Sequence, residues 1–368
     1  MNFDGILAQV DGKYASLTED REWVAEAVKK IAADQHRSAD THLIKLPLPA
    51  FPNVDLYLKD ESTHITGSLK HRLARSLFLY GLCNGSIHQN TVIVEASSGS
   101  TAISEAYFAR LLGLRFIAVV PNGTTREKLA SIQHYGGEIA FTESGNIYSE
   151  AQRIAEQNNG HYMDQFTYAE RVTDWRGNNN IAESLFQQMQ AEPHPCPSWV
   201  VVGAGTGGTS ATIGRFIRYK ADVYQETKLC VADPQGSAFF KALQKNCTEA
   251  LRQSRIEGVG RPRQEPSFIP DVVDLMVKVN DSASIATSIW LEQFLNRKCG
   301  GSTGLNLYAA LYLAQQMQAR GEVGSIVTLI CDDGNRYLDN VHDAQWRAEN
   351  DINIAPYLDA LNALSEPT

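Results

Sequence analysis

The chain has 368 residues, of which 43% are hydrophobic and 20% charged, and it carries a formal net charge of −9. That size and balance describe a folded chain of two domains, or of lobes around a cleft, and exclude disorder over most of its length. The acidic balance excludes nucleic acid or an anionic membrane as the main partner, and no apolar run reaches the roughly 20 residues of a membrane span, so a small molecule is the expected ligand.

In chain order, Glu22 to Asp34 carries Trp23, Ala27, Val28 and Ile31 at helical spacing and reads as an amphipathic helix. Leu46-Pro47-Leu48-Pro49 breaks helix and leads into an extended segment, Asp55 to Lys59. A polar loop follows, and a helix runs from Ser68, a suitable N-cap, to Gly81. Strands and helices then alternate. Thr91 to Ala96, Phe116 to Val120 and Ile139 to Thr142 read as strands; Thr101 to Leu112, Arg126 to Tyr135 and Ser149 to Gln157 read as helices. Later come strand Trp199 to Val202, helix Thr209 to Tyr219, strand Leu229 to Ala232 and strand Ile326 to Cys331. Such alternation predicts an α/β fold with a largely parallel, buried sheet and right-handed crossovers. Arg252 to Pro266, with four arginines and several glycine or proline breaks, reads either as a solvated basic turn or as an active-site flap.

Cys83, Cys196, Cys230, Cys247, Cys299 and Cys331 are scattered without a C-x-x-C, and no secretory leader pattern precedes them, so a cytoplasmic setting is expected. The nine histidines show no ligand spacing, and no structural metal is expected.

The chemistry centres on Lys70, in Thr66-Gly67-Ser68-Leu69-Lys70-His71-Arg72. A lysine in the first turn of a helix faces the positive end of the macrodipole, which favours its amine form, and an amine so poised can attack a carbonyl. Two segments suit anions. Gly203-Ala204-Gly205-Thr206-Gly207-Gly208-Thr209 follows a strand and opens a helix, so its amides can cradle a phosphate, with Thr206 and Thr209 adding hydroxyls. The same residues spell G-x-G-x-x-G, with Asp233 ending the next strand, and also fit an NAD-dependent oxidoreductase. Ser97-Ser98-Gly99-Ser100-Thr101 offers more hydroxyls and amides than one helix cap needs, and suits a carboxylate. Gly300-Gly301-Ser302-Thr303-Gly304 opens another helix, where Ser302 can meet a ring nitrogen. A Schiff-base lysine with a phosphate cradle is the equipment of a pyridoxal phosphate enzyme.

These motifs resemble the fold type II pyridoxal phosphate enzymes, the family of cysteine synthase, cystathionine β-synthase and the tryptophan synthase β-chain, over about residues 40 to 340. The resemblance implies two open, twisted, largely parallel sheets with the active site between lobes. It assigns the covalent link to pyridoxal 5'-phosphate and the proton shuttle to Lys70. Cofactor contacts fall on Ser100, Gly205, Thr206, Gly207, Gly208, Thr209 and Ser302. Substrate contacts fall on Ser97, Ser98, Gly99, Thr101, Gln165 and Gly258, the last within Ile256 to Pro262, which looks like the family's mobile loop. Within the family the chain is most similar to bacterial cysteine desulfhydrases, which implies β-elimination on L-cysteine to pyruvate, ammonia and hydrogen sulfide, with β-replacement as the alternative. The implied lobes are an N-terminal helical extension (1–41), a cofactor lobe (42–63 and 175–345), a smaller mobile lobe (64–174) and a tail (346–368), in a homodimer. The sequence departs from the family pattern at Ser100, in place of asparagine, at Ala102, in place of glycine, and at Trp175-Arg176-Gly177-Asn178. It lacks the haem-binding Cys and His arrangement and tandem regulatory domains, so neither haem nor adenosyl-methionine control is expected.

Overall fold

The computed structural model describes residues 14–38, 40–244, 251–252 and 254–365. Ten strands form two sheets: β1 (His42–Leu46), β2 (Val54–Asp60), β3 (Ile93–Glu95), β4 (Phe116–Pro121), β5 (Glu138–Thr142), β6 (His161–Tyr162), β7 (Trp199–Gly203), β8 (Lys228–Pro234), β9 (Leu275–Val279) and β10 (Gly324–Ile330). The larger sheet has the order β1-β2-β10-β7-β8-β9 and the smaller β5-β4-β3-β6. Every pair is parallel except β1 with β2, which starts at His42 opposite Asp60.

The helices, in order, are α1 (Tyr14–His36), α2 (Lys70–Cys83), α3 (Ser100–Leu112), α4 (Arg126–His134), α5 (Ile147–Gln157), α6 (Gln165–Val172), α7 (Ile181–Met189), α8 (Gly208–Tyr219), α9 (Ala221–Tyr224), α10 (Phe239–Leu243), α11 (Asp281–Leu295), α12 (Gly301–Ala319), α13 (Ala344–Glu349) and α14 (Ala355–Ala363). Each sheet is covered on both faces. On the larger sheet, α11 and α12 bury Trp290, Leu291, Leu305 and Leu313 against one side, while α7 and α8 bury Leu185, Phe186 and Ile213 against the other. On the smaller sheet, α1, α2 and α3 bury Ile31, Phe78 and Phe108 on one side and α5 places Ala151 and Ile154 on the other. Double coverage is why the strands read as continuous apolar runs rather than alternating ones.

The sequence expectations differ from the structure in a few places. The Thr91 to Ala96 run yields only a three-residue strand, Ile93–Glu95. Ser68 is not the N-cap of α2: the cap position is Leu69, with no side-chain cap, although the Ser68 hydroxyl accepts from the Lys70 amide at 3.3 Å. Ser68 instead bridges to Asp332 at the end of β10, which takes it out of the helix. Cys247 lies outside the described residues; the five described cysteines are free thiols.

Two packing features hold the site-bearing elements in place. α12 crosses α11 at Gly304, where an added methyl would fall 1.9 Å from the Ser284 carbonyl oxygen and 2.7 Å from the Ser288 nitrogen. In the smaller sheet, Glu95 and Glu105 are both fully buried. Glu95 accepts from the amides of Ala96 (2.7 Å) and Gln165 (3.1 Å), whereas no other described group meets the Glu105 oxygens and the Glu105 carboxyl donates to Glu95. Only a retained proton joins two such groups, and burial holds both carboxyls above the usual range.

Gly304→Ala is expected to lower the unfolding free energy in urea by about 1–3 kcal/mol, because backbone rather than a movable side chain fills the space. The folded chain binds a proton that the unfolded chain releases, so Glu95 and Glu105 make stability fall as pH rises from 4.5 through about 8. Glu105→Gln keeps a neutral donor and removes that proton; the melting temperature of the variant should therefore decline less across this window than that of the parent.

Candidate active site

The carboxyl ends of β3, β7 and β10 and the loop after β2 converge on one cavity of about 440 Å³ between the sheets, the position where parallel sheets generally bind ligands. Of the residues expected from sequence, Lys70, Ser97, Ser98, Gly99, Ser100, Thr101, Gln165, Gly205, Thr206, Gly207, Thr209, Gly258 and Ser302 all line it. Gly208 does not; it faces a smaller pocket behind the loop.

Lys70 is held by its neighbours' backbone. The Leu69 amide donates to the Cys331 carbonyl (2.8 Å) and the Asp333 amide to the Gly67 carbonyl (3.0 Å), which pins the lysine loop to the end of β10. Burial lowers the Lys70 pKa, and Arg261 adds to the effect; Cys331, Asp332 and Glu95 oppose it. The amine form is thus favoured relative to a solvated lysine.

Facing it, the start of α8 is built from backbone alone. Its N-cap is Gly207, at φ +93°, with no side-chain cap. A methyl on Gly205 would lie 2.1 Å from the Gly258 carbonyl oxygen, and one on Gly207 2.4 Å from the Phe268 Cα. The Gly208 amide turns inward to the Thr206 hydroxyl (3.2 Å), which explains its absence from the main cavity. Apart from that of Gly208, the first-turn amides are left without a side-chain acceptor among the described residues at the positive end of a helix, with the Thr206 and Thr209 side chains beside them, a seat for a phosphate dianion. A nearby amine and a buried hydroxyl, Ser302, complete a donor set that fits pyridoxal phosphate.

On the opposite wall no serine is used up as a cap of α3: the cap position is Gly99, and Ser97 accepts only from the Gly99 amide (3.3 Å). Thr101 donates to Gln165 Oε1 (2.7 Å), and Glu95 grips the Gln165 backbone, so the two halves of this carboxylate-sized cup are tied together. The Ser100 hydroxyl accepts from Arg336 Nη1 at 2.7 Å, while the other nitrogen of that guanidinium donates to the Thr66 carbonyl. Ser100 keeps its own proton to donate, polarised by a cation, at the place where an asparagine was expected.

Several lining residues were not anticipated. Asp332 is buried and accepts from the Tyr337 hydroxyl (2.5 Å); burial lifts its carboxyl to about 6. Asn306 donates to the Cys331 sulfur (3.2 Å), and burial pushes that thiol up to about 12. The readable signal was Asp332-Asp333-Gly334-Asn335, a turn closing an apolar strand at the rim of the sheet. Of the Arg252 to Pro266 segment, in which Gln253 lies outside the described residues, Ser254 and residues 256–261 line this cavity. Glu257 pairs with Lys128 on α4 (2.7 Å), and Arg261 donates to the Tyr148 hydroxyl on α5 and to Glu265 (2.9 Å). Asp233, considered above as a ribose ligand, is fully buried and accepts from the Phe240 amide (3.0 Å), which argues against the dinucleotide reading.

The family model described as "Pyridoxal-phosphate dependent enzyme" matches residues 36–332. The chain is 58% identical over 333 residues to L-cysteine desulfhydrase Cds1 of Mycobacterium tuberculosis (strain ATCC 25177 / H37Ra), covering 89% of this chain and 90% of that protein. It is 28% identical over 305 residues to cystathionine beta-synthase of Rattus norvegicus, covering 79% of this chain and 51% of that one. A crystal structure of O-ureido-L-serine synthase superposes with a TM-score of 0.73 at 23% identity, over 83% of this chain and 92% of the other, and shares the fold. With a lysine, a phosphate seat and a two-sheet frame all in the matched region, the chain belongs to the pyridoxal-phosphate dependent enzyme family.

Proposed function

We propose that this protein is a lyase that removes the sulfur of L-cysteine, releasing hydrogen sulfide, pyruvate and ammonia. The observation that carries this reading is the 58% identity to L-cysteine desulfhydrase Cds1 over 89% of the chain, with the cysteine synthase and cystathionine beta-synthase relatives more distant at 28%.

The roles proposed for the residues are supported by where they line the cavity. Lys70 would hold the cofactor and serve as the base for the substrate's Cα proton; its burial-lowered pKa supports that role. Gly205, Thr206, Gly207 and Thr209 seat the phosphate, with Gly208 bracing the turn from behind. Ser302 would meet the ring nitrogen, and Ser100, backed by Arg336, would donate toward the ring oxygen. Ser97, Ser98, Gly99, Thr101 and Gln165 bind the substrate carboxylate, and Gly258 lets the flap pass close to the substrate. Pyridoxal phosphate, when bound there, supplies the electron sink that makes the Cα proton removable. A hydroxyl at Ser302, rather than a carboxylate, would leave the ring nitrogen without a charged partner and so would temper the electron sink.

The lobes are assigned as 42–63 with 175–345 for the cofactor and 64–174 for the substrate, the latter mobile and containing all four strands of the smaller sheet. Residues 1–41 form an extension and 346–368 a tail. A cytoplasmic homodimer completes the proposal. No helix among the described residues is long and apolar enough to cross a membrane.

Incubation of the purified protein with cysteine, with and without a second thiol, tests the reaction. Pyruvate and sulfide in equal amounts are expected in both arms; a thioether as the sole product would replace this assignment with β-replacement. Lys70→Ala should lower turnover by roughly 10²–10⁴-fold. Borohydride treatment of the parent should fix the cofactor to the peptide containing residue 70, and the same treatment of the variant should leave that peptide unlabelled.

A further inference from the structure

Behind the phosphate seat lies a second pocket of about 130 Å³, bounded by α2, the start of α8 and the turn at 173–180. It shares Lys70, Thr206 and Thr209 with the main cavity. Arg75 on α2 lines it and is only 8% exposed. No carboxylate or carbonyl among the described residues accepts a hydrogen bond from its guanidinium, and none forms an ion pair with it. The acids within electrostatic range are engaged elsewhere: Glu61 and Asp40 with Arg72, and Asp34 with Tyr107 and Arg37. Arg72, one turn away, adds repulsion. Burial first and this repulsion second pull Arg75 down to about 10, which leaves it charged at neutral pH.

The rest of the lining is polar and partly uncommitted. Asp174 is turned to Arg176, and the Asn180 amide is taken by the Asp174 and Gly177 carbonyls. The side chains of Ser76, Thr173 and Asn178 make no hydrogen bond among the described residues and border the same space. A buried guanidinium without a counter-charge in its own chain is costly, and an anion with two oxygens in one plane matches its fork of donors. The volume accommodates a few heavy atoms beyond a water or two.

We propose that this pocket is a binding site for a small oxyanion, of the class of sulfate, phosphate or a short carboxylate, held by the Arg75 guanidinium. The site is separate from the phosphate seat but presses on the same residues, so its occupant bears on Lys70 and Thr209 from behind. The proposal does not depend on which β-carbon reaction the enzyme performs.

The test is calorimetric titration of the holoenzyme, whose phosphate seat is already filled, with sodium sulfate, sodium phosphate and sodium acetate at constant ionic strength set by sodium chloride. At least one probe should bind saturably, one per chain. Arg75→Met should weaken that binding by at least about ten-fold, and Arg75→Lys, which keeps charge but loses the fork, by less. The strongest of the three probes distinguishes an inorganic oxyanion from a carboxylate. The melting temperature of the parent should rise with the anion and that of Arg75→Met should not. In chloride alone the Met variant should melt no lower than the parent, because it removes an uncompensated buried charge. Three results overturn the proposal: no saturable binding by any probe, unchanged affinity in Arg75→Met, or a lower melting temperature of that variant without oxyanion, which would mean that the charge is already satisfied within the fold.

Discussion

The close approach of backbone to backbone around Gly205, Gly207 and Gly208 is the constraint from which the site follows. Side chains there would collide with the Gly258 carbonyl, the Phe268 Cα and Ala169 within 2.8 Å, and among the described residues only one first-turn amide of α8, that of Gly208, is taken by a side chain, the Thr206 hydroxyl. The remaining first-turn amides are left for a ligand. The same contact presses the flap onto the phosphate loop, and the Gly260 amide donates to the Ala204 carbonyl at 2.8 Å. Anything that seats the cofactor phosphate therefore also sets where the flap starts, and with it the roof over the substrate.

A second layer of positioning comes from buried charge. Arg72, two residues after the reactive lysine, lines the smaller pocket rather than the main cavity. It donates to both oxygens of Glu61 (2.6 and 3.0 Å), to Asp40 (3.0 Å) and to the Asn179 carbonyl (2.9 Å), with Lys59 also near Asp40. Burial alone would raise the Glu61 carboxyl, but Arg72 and His64 hold it well below its usual value. Removing one partner of such a cluster leaves an unpaired buried charge, so the cluster acts as a rigid peg through the first turn of α2. The lysine points where it does because the helix that begins on it cannot rotate.

The parts of this molecule that sequence made legible are those where one local pattern has one physical cause. Glycine clusters after apolar runs marked the strand-to-helix turns, and Lys70, the Gly205 turn and the Ser97 loop could each be located by that rule. The elements that escaped are of two kinds. β6 is two residues long and α11 is rich in buried serine, threonine and alanine, so neither carries a periodic signal. The Arg336–Ser100 contact, the Glu257–Lys128 pair and the Glu95–Glu105 pair join residues ten to more than two hundred positions apart, and only the pairing of sheets brings most of them together. Serine in place of asparagine at position 100 was visible as a departure; the arginine that engages it was not, because it arrives from the far end of the chain.

Two cross-links fix how the segment around Gly258 and Gly260 lies over the cavity. Lys128 with Glu257, and Arg261 with Tyr148, fasten the segment around Gly258 and Gly260 to α4 and α5, across the cavity mouth. Gly258, at φ +82°, has open space where a side chain would be, while Gly260, at φ +71°, is wedged against Pro234. The segment is therefore held at Gly260 by Pro234 and at Gly258 by the approach of its carbonyl to Gly205. Each cross-link places a charged group in a partly buried setting where its loss is felt. On the proposed reaction these two contacts would weight hydrolysis over replacement, because a second thiol needs this segment opened further than water does.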